Sequence, residues 1–192
     1  DAREVAGRMG IPHYVFNYSE DFEEKVIQPF INAYERGETP NPCIDCNRFL
    51  KFDRLHRRAR ELKCDYIATG HYAQILADGT GGFRMAKAVD LSRDQSYVLY
   101  PIPREQLAQT LFPLGGLTKA EVREIAQREG FVNARKHDSQ DMCFVPDGDY
   151  LAFMERHTGK TYPEGDIIDQ SGKVVGRHRG AAGLTIGQRR GV

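Results

Sequence analysis

Cysteine is the residue type in this chain best suited to covalent chemistry. Two of its four cysteines sit in an unusual setting, Thr39-Pro40-Asn41-Pro42-Cys43-Ile44-Asp45-Cys46-Asn47. Pro40 and Pro42 fix their own φ angles and push Thr39 and Asn41 toward extended conformations, so Cys43 and Cys46 are delivered on a stiff segment. From Asn47 onward, Phe49, Leu50, Phe52, Leu55, Ala59 and Leu62 recur at helical spacing with Arg and Lys on the other side. The spacing predicts a helix with Cys46 near its N-terminus, where unpaired amides and the helix dipole favour a thiolate.

Bland readings stand beside this one. Cys43 and Cys46 form a C-x-x-C pair, which invites zinc, but a tetrahedral structural site needs four ligands. Cys64 and Cys143 stand alone in sequence, so no metal site is expected. A thioredoxin-like pair would follow the first strand of its own fold, with the proline between the cysteines rather than outside them. Cys64 opens the apolar run Cys64-Asp65-Tyr66-Ile67-Ala68, read as a strand with Cys64 in the core. Cys143, between Met142 and Phe144, fits a core position by local pattern alone. His71 follows Gly70 at the end of the predicted strand, the edge where open α/β sheets bind ligands, and is either a ligand contact or a satisfied turn histidine. Asp94 and Gln95 could cap the segment after them.

The scaffold around these residues reads in chain order. Residues 1–9 predict a helix closed by Gly10, then a strand Tyr14–Phe16, then a helix over Glu20–Arg36 kinked at Pro29 and stopped by Gly37. Gln74–Leu76 and Phe83–Ala86 predict a hairpin with a glycine-rich tip, and Arg104–Leu111 a short helix. Thr118-Lys119-Ala120-Glu121 is a capping box for a helix that ends at Gly130. The turn residues Pro146-Asp147-Gly148-Asp149 suggest a domain boundary, with a helix over Tyr150–His157 and two short strands within Gly165–Val175 beyond it.

Lys plus Arg equals Asp plus Glu at 27 each, so nucleic-acid binding would have to come from local patches. Two exist: Arg54, His56, Arg57, Arg58, Arg60 and Lys63 on the cysteine helix, and Arg177, His178, Arg179, Arg189 and Arg190 near the C-terminal end. Four scattered cysteines and no signal-like or membrane-spanning apolar run imply a reducing, cytoplasmic setting without membrane partners. The chain opens without methionine inside an amphipathic helix, which reads as an internal fragment of something longer.

Five stretches occur in fixed order: Thr39-Pro40-Asn41-Pro42 with Cys46-Asn47 and Lys51-Phe52; Ala68-Thr69-Gly70-His71-Tyr72-Ala73; Asp94-Gln95-Ser96-Tyr97; Asp138-Ser139-Gln140-Asp141-Met142-Cys143-Phe144; and Thr185-Ile186-Gly187-Gln188-Arg189-Arg190-Gly191. Together they resemble the tRNA-specific 2-thiouridylases, the tRNA-uridine 2-sulfurtransferase family, over essentially the whole chain. The resemblance implies an α/β fold of the adenine-nucleotide α-hydrolase-like, PP-loop (Rossmann-like) type with a parallel sheet. It also implies ATP-dependent 2-thiolation of the wobble uridine of tRNA. Residues 1–146 would be a partial catalytic domain and 147–192 the start of a central tRNA-contacting domain.

By position, Cys46 matches the family's nucleophile and Cys143 the cysteine that carries the persulfide. Asn41, Pro42 and Cys43 match the target-base triplet. Gly70 matches an ATP-contacting glycine with His71 beside it, and Arg93, Asp94 and Gln95 match a tRNA-contacting triplet. ATP with Mg2+, tRNA, and a sulfur-carrier or cysteine desulfurase protein that donates persulfide sulfur are the implied cofactors and partners. The same mechanism leads to the expectations of a mobile Lys136–Phe144 segment and a Cys46–Cys143 disulfide as resting product. Many relatives carry aspartate where this chain has Cys43. The family's Ser-Gly-Gly-Val-Asp-Ser pyrophosphate loop and its C-terminal barrel are absent from the sequence, so the fragment alone is expected to be inactive. The competing readings are another adenylating PP-loop enzyme and a zinc-stabilised nucleic-acid-binding module.

Overall fold

The structure, a computed structural model, describes residues 1–134 and 142–189. These form two compact units, one of residues 1–21 and 43–134, the other of residues 22–42 and 142–189. No helix among the described residues is long and apolar enough to cross a membrane.

In the first unit the helix Ala2–Met9 ends at Gly10 in the left-handed conformation, φ 66°, as the sequence predicts. The expected strand at Tyr14–Phe16 does not form. The rings of Tyr14, Phe16 and Tyr18 succeed one another at 6.4 and 6.1 Å, and the Arg58 guanidinium lies 4.8 Å over Phe16. No strand among the described residues pairs with the segment, and Tyr14 and Val15 are exposed.

The cysteine helix runs over residues 42–61: α-helical at Pro42–Asp45, π-helical over Cys46–Arg54, and α-helical again over Leu55–Glu61. It therefore begins a turn earlier than its apolar periodicity suggests, because Pro42, with preset φ and no amide to satisfy, is a favoured first helical residue. Its other end is a Schellman motif: the Cys64 amide donates to the Ala59 carbonyl at 2.8 Å and the Lys63 amide to Arg60 at 3.1 Å. Lys63 takes the left-handed place usually given to glycine, φ 57°. This corrects the placement of Cys64, whose amide is used by the helix end, so that Cys64 is exposed and the strand shrinks to Ile67–Ala68 (β1).

β1 pairs in parallel with Thr110–Leu111 (β4), Ile67 opposite Thr110. The predicted helix 104–111 is cut to Arg104–Leu107, since the Thr110 hydroxyl donates to the Gln106 carbonyl at 2.8 Å and closes that end. The hairpin of Ala73–Ala77 (β2) and Phe83–Lys87 (β3) forms as expected, with Ile75 opposite Met85. Gly115 lies against β2 so closely that a Cβ there would stand 1.7 Å from the Ala73 carbonyl oxygen. Both bonds of the Thr118/Glu121 capping box are made at the head of the helix Lys119–Arg128. Phe52, Ala59, Ile67, Ala73, Val98, Leu99, Ile102 and Leu107 form the core, so the cysteine helix, β1 and the hairpin share one apolar centre.

The second unit buries Phe30, Ile31 and Tyr34 against Leu151 and Met154. The helical backbone is not interrupted at Pro29. The π-helical stretch Glu23–Ile27 precedes it, with the Gln28 amide reaching back to Glu23, and Pro29 then sits in the first turn of Gln28–Glu35, where no intrahelical partner for its nitrogen is required. Asp149 caps the helix Tyr150–Thr158 by accepting the Ala152 amide at 3.0 Å. Gly165–Ile168 (β5) and Val174–His178 (β6) form an antiparallel hairpin with a bulge at Ile167/Ile168.

Candidate active site

Because the cysteine helix starts at Pro42, Cys43 lies in its first turn and Cys46 one turn deeper, which corrects the expected place of Cys46 at the unpaired amides of the N-terminus: those belong to the turn before it. Cys43 is exposed and Cys46 half-buried. Burial raises the Asp45 carboxyl above the usual range, with Arg48 opposing it. Asn47, 1% exposed, donates from Nδ2 to the Val98 carbonyl at 3.3 Å, and its Oδ1 is buried without a protein partner. Local pattern gives no hint that an asparagine beside Cys46 belongs to the interior. His56 is likewise buried, with Nε2 3.2 Å from Thr110 Oγ1 and its pKa lowered by burial, then by Arg60. It drops out of the basic face on which the sequence places it.

Phe52, one and a half turns beyond Cys46, links this helix to the strand-end motif. Its ring lies 6.0 Å from that of His71, and Phe112 meets both edge-on. His71 is buried, with Nδ1 2.8 Å from Thr69 Oγ1. Burial, with a smaller contribution from Lys51, lowers its pKa to about 4, so the ring is neutral at pH 7. Gly70 is exposed, and the nearest atom to where a Cβ would stand is Leu114 Cδ1 at 3.7 Å.

The next motif is braced on the same core. Gln95 Oε1 accepts the Tyr72 amide at 3.0 Å, and the Gln95 amide donates to the Tyr72 carbonyl at 2.8 Å. Asp94 accepts the Ala88 amide at 2.9 Å and the Ser96 hydroxyl at 2.7 Å. Burial opposes its ionisation, but these bonds outweigh it and its pKa is lowered. Arg93 is exposed. In the first unit, then, the Cys46 helix, Gly70-His71 and Asp94-Gln95 converge, through Phe52–His71 stacking, Asn47–Val98 and Gln95–Tyr72.

Cys143 belongs to the second unit and is exposed. The Phe144 ring packs 5.6, 5.2 and 5.3 Å from those of Phe22, Phe30 and Phe153, and Met142 lines the same core. Anchors on both sides leave the residue between them facing outward, which decides against a core position for Cys143. Asp138-Ser139-Gln140-Asp141 and most of the Lys136–Phe144 segment, as well as Arg190 and Gly191, lie outside the described residues. No disulfide joins any of the four cysteines, and the described residues contain no cluster of three or more His, Cys, Asp or Glu able to hold a metal.

A family model described as the tRNA methyl transferase HUP domain matches residues 1–147. The chain belongs to this family. A second model, the tRNA methyl transferase PRC-barrel domain, matches residues 151–192. The HUP assignment agrees with the mixed α/β build of the first unit and its small parallel pair β1–β4. The whole chain is 50% identical to a protein of Geotalea uraniireducens and 50% identical to one of Geobacter metallireducens, covering 51% and 52% of them. It is 48% identical to one of Clostridioides difficile, covering 54%. Each is named tRNA-specific 2-thiouridylase MnmA, and the chain spans about half the length of these curated relatives.

Proposed function

We propose that this HUP-family chain is part of an ATP-dependent tRNA-uridine 2-sulfurtransferase that replaces the 2-oxygen of the wobble uridine by sulfur. The observation that supports it most is identity of about one half along the entire chain to proteins named 2-thiouridylases, on a chain that carries a half-buried thiol, Cys46, one turn into a helix and a second, outward-facing thiol at Cys143.

In this reading ATP is a substrate, accompanied by Mg2+, and supplies the adenylate that makes the uracil 2-oxygen a leaving group. The residues present suit its adenosine end, because the exposed Gly70 backbone is open to close approach and neutral His71 lies beside it. Residues 1–192 do not include a Ser-Gly-Gly-Val-Asp-Ser loop, so none of them is assigned to the phosphates. Cys143 carries a persulfide received from a sulfur-carrier or desulfurase protein. Its terminal sulfur bonds to C2 as the adenylate departs, and Cys46 thiolate then attacks the Cys143 sulfur. That breaks the S–S bond, leaves the transferred sulfur on C2, and forms a Cys46–Cys143 disulfide that external thiols reduce.

Asn41, Pro42 and Cys43 meet the target base, while Arg93, Asp94 and Gln95 face tRNA, with Arg93 the member whose side chain is exposed and Asp94 and Gln95 shaping the loop. Residues 1–146 serve catalysis and 147–192 open the tRNA-contacting part. The test is complementation with full-length Cys46→Ser, Cys143→Ser and Cys64→Ser, followed by mass spectrometry of tRNA nucleosides. The first two should yield no 2-thiouridine, and Cys64→Ser should keep most of it. Wild-type thiouridine from either of the first two sinks the mechanism.

A further inference from the structure

The turn at residues 185–188 closes on itself: the Gln188 amide donates to the Thr185 carbonyl at 3.0 Å, and the Thr185 amide donates to Gln188 Oε1 at 3.0 Å. Gly187 has φ 79°, the sign that a type II turn requires at its third residue. Such a turn uses its first carbonyl and last amide and leaves the amide of its second residue without an internal partner. The Ile186 amide finds one in Thr39 Oγ1 at 2.9 Å. Ile186 is 75% exposed, so this bond rather than side-chain burial holds its backbone. A second bond, Tyr34 Oη to Thr185 Oγ1 at 3.3 Å, ties the turn to a tyrosine rooted in the core of the same unit.

Thr39 opens the segment Thr39-Pro40-Asn41-Pro42. Two of these four residues have no amide hydrogen, which removes half of the donors that backbone pairing would use to hold the segment. A side-chain acceptor at its start supplies a fastening that the prolines cannot. Both prolines also stiffen the chain on the C-terminal side of Thr39, so fixing Thr39 fixes the path of Asn41 and Pro42 more firmly than it would in a flexible loop.

We propose that the turn at residues 185–188, acting through the Thr39 hydroxyl, is a positioning device for Asn41 and Pro42. It rests on the sulfurtransferase reading, in which those two residues meet the target base. Misplacing a base by a fraction of an ångström slows reaction more than it weakens binding, since most tRNA affinity comes from phosphate contacts elsewhere. The signature of the device is therefore a loss in kcat with KM for tRNA little changed.

The experiment uses the full-length protein with Thr39→Val, which keeps the shape and removes the acceptor, and Thr39→Ser, which keeps the acceptor. Gln188→Ala opens the turn from its other side. Thr39→Val and Gln188→Ala should lower single-turnover thiolation about three- to tenfold, the effect of one ordinary hydrogen bond, while Thr39→Ser restores it. Hydrogen exchange of the peptide containing Ile186 should accelerate in Thr39→Val and not in Thr39→Ser. A wild-type rate for Thr39→Val, an equal loss in Thr39→Ser, or unchanged exchange in Thr39→Val each overturns the proposal. If the wild-type protein makes no thiouridine, the sulfurtransferase reading fails and the kinetic claim with it, while the exchange result still decides whether Thr39 holds the turn.

Discussion

His71 offers the sharpest physical test, because its burial between Phe52 and Phe112 has a consequence for pH. Its pKa falls from the ordinary 6.5 to about 4. In the unfolded chain the ring binds a proton near pH 6.5, and in the folded chain it resists until about pH 4. The unfolded state therefore takes up more protons in that window, and the stability that neutral His71 contributes, fully present above pH 6.5, is lost as pH falls through the window. The gap sets a ceiling of about 3 kcal/mol, of which linkage places about 2 kcal/mol between pH 7 and pH 5. His71→Phe keeps a ring in the stack and removes the titration. Urea unfolding of wild type and variant at pH 7 and pH 5 should show the wild type losing about 2 kcal/mol more than the variant, with the His56 contribution, lowered in the same direction, cancelling in the difference. Titration of the His71 ring by NMR gives the pKa directly. A midpoint within about half a unit of the ordinary histidine value, or equal losses in both proteins, would refute this account of His71 burial.

Thr118→Ala should cost about 1 kcal/mol by removing the hydroxyl end of a capping box whose two bonds are both made, and a change under about 0.3 kcal/mol in chemical denaturation would show the helix indifferent to its cap. Met154→Ala, at a residue with no exposure in the core of the second unit, should destabilise that unit by about 2–5 kcal/mol, a loss visible as faster exchange of the Tyr150–Thr158 amides. Arg177→Gln with Arg189→Gln should weaken tRNA binding in the full-length protein and lower the log–log salt slope by roughly 0.7–0.9 per phosphate contact removed. An unchanged slope would assign Arg177 to its ion pair with Asp166 and leave Arg189 without a phosphate.

Local chemistry carried much of this protein's plan. Gly10, the Thr118/Glu121 box and the glycine-rich tip between β2 and β3 each act within a few residues, so their elements form where the sequence places them. The ordered motifs also suffice to identify the family, since residue identity alone carries that signal. Contacts across long separations decided the rest. Periodicity cannot tell that Asn47 and His56 turn inward, because their partners, Val98 and Thr110, lie more than fifty residues on. A strand exists only where a neighbour pairs with it, which is why Tyr14–Phe16, with no pairing strand among the described residues, forms none, while Thr110–Leu111, read as the end of a helix, becomes the parallel partner of β1. Cys64 and Cys143 look alike in sequence as single cysteines in apolar runs. The helix end that takes the Cys64 amide, and the core that holds Phe144 and Met142 on either side of Cys143, are what bring both thiols to the surface.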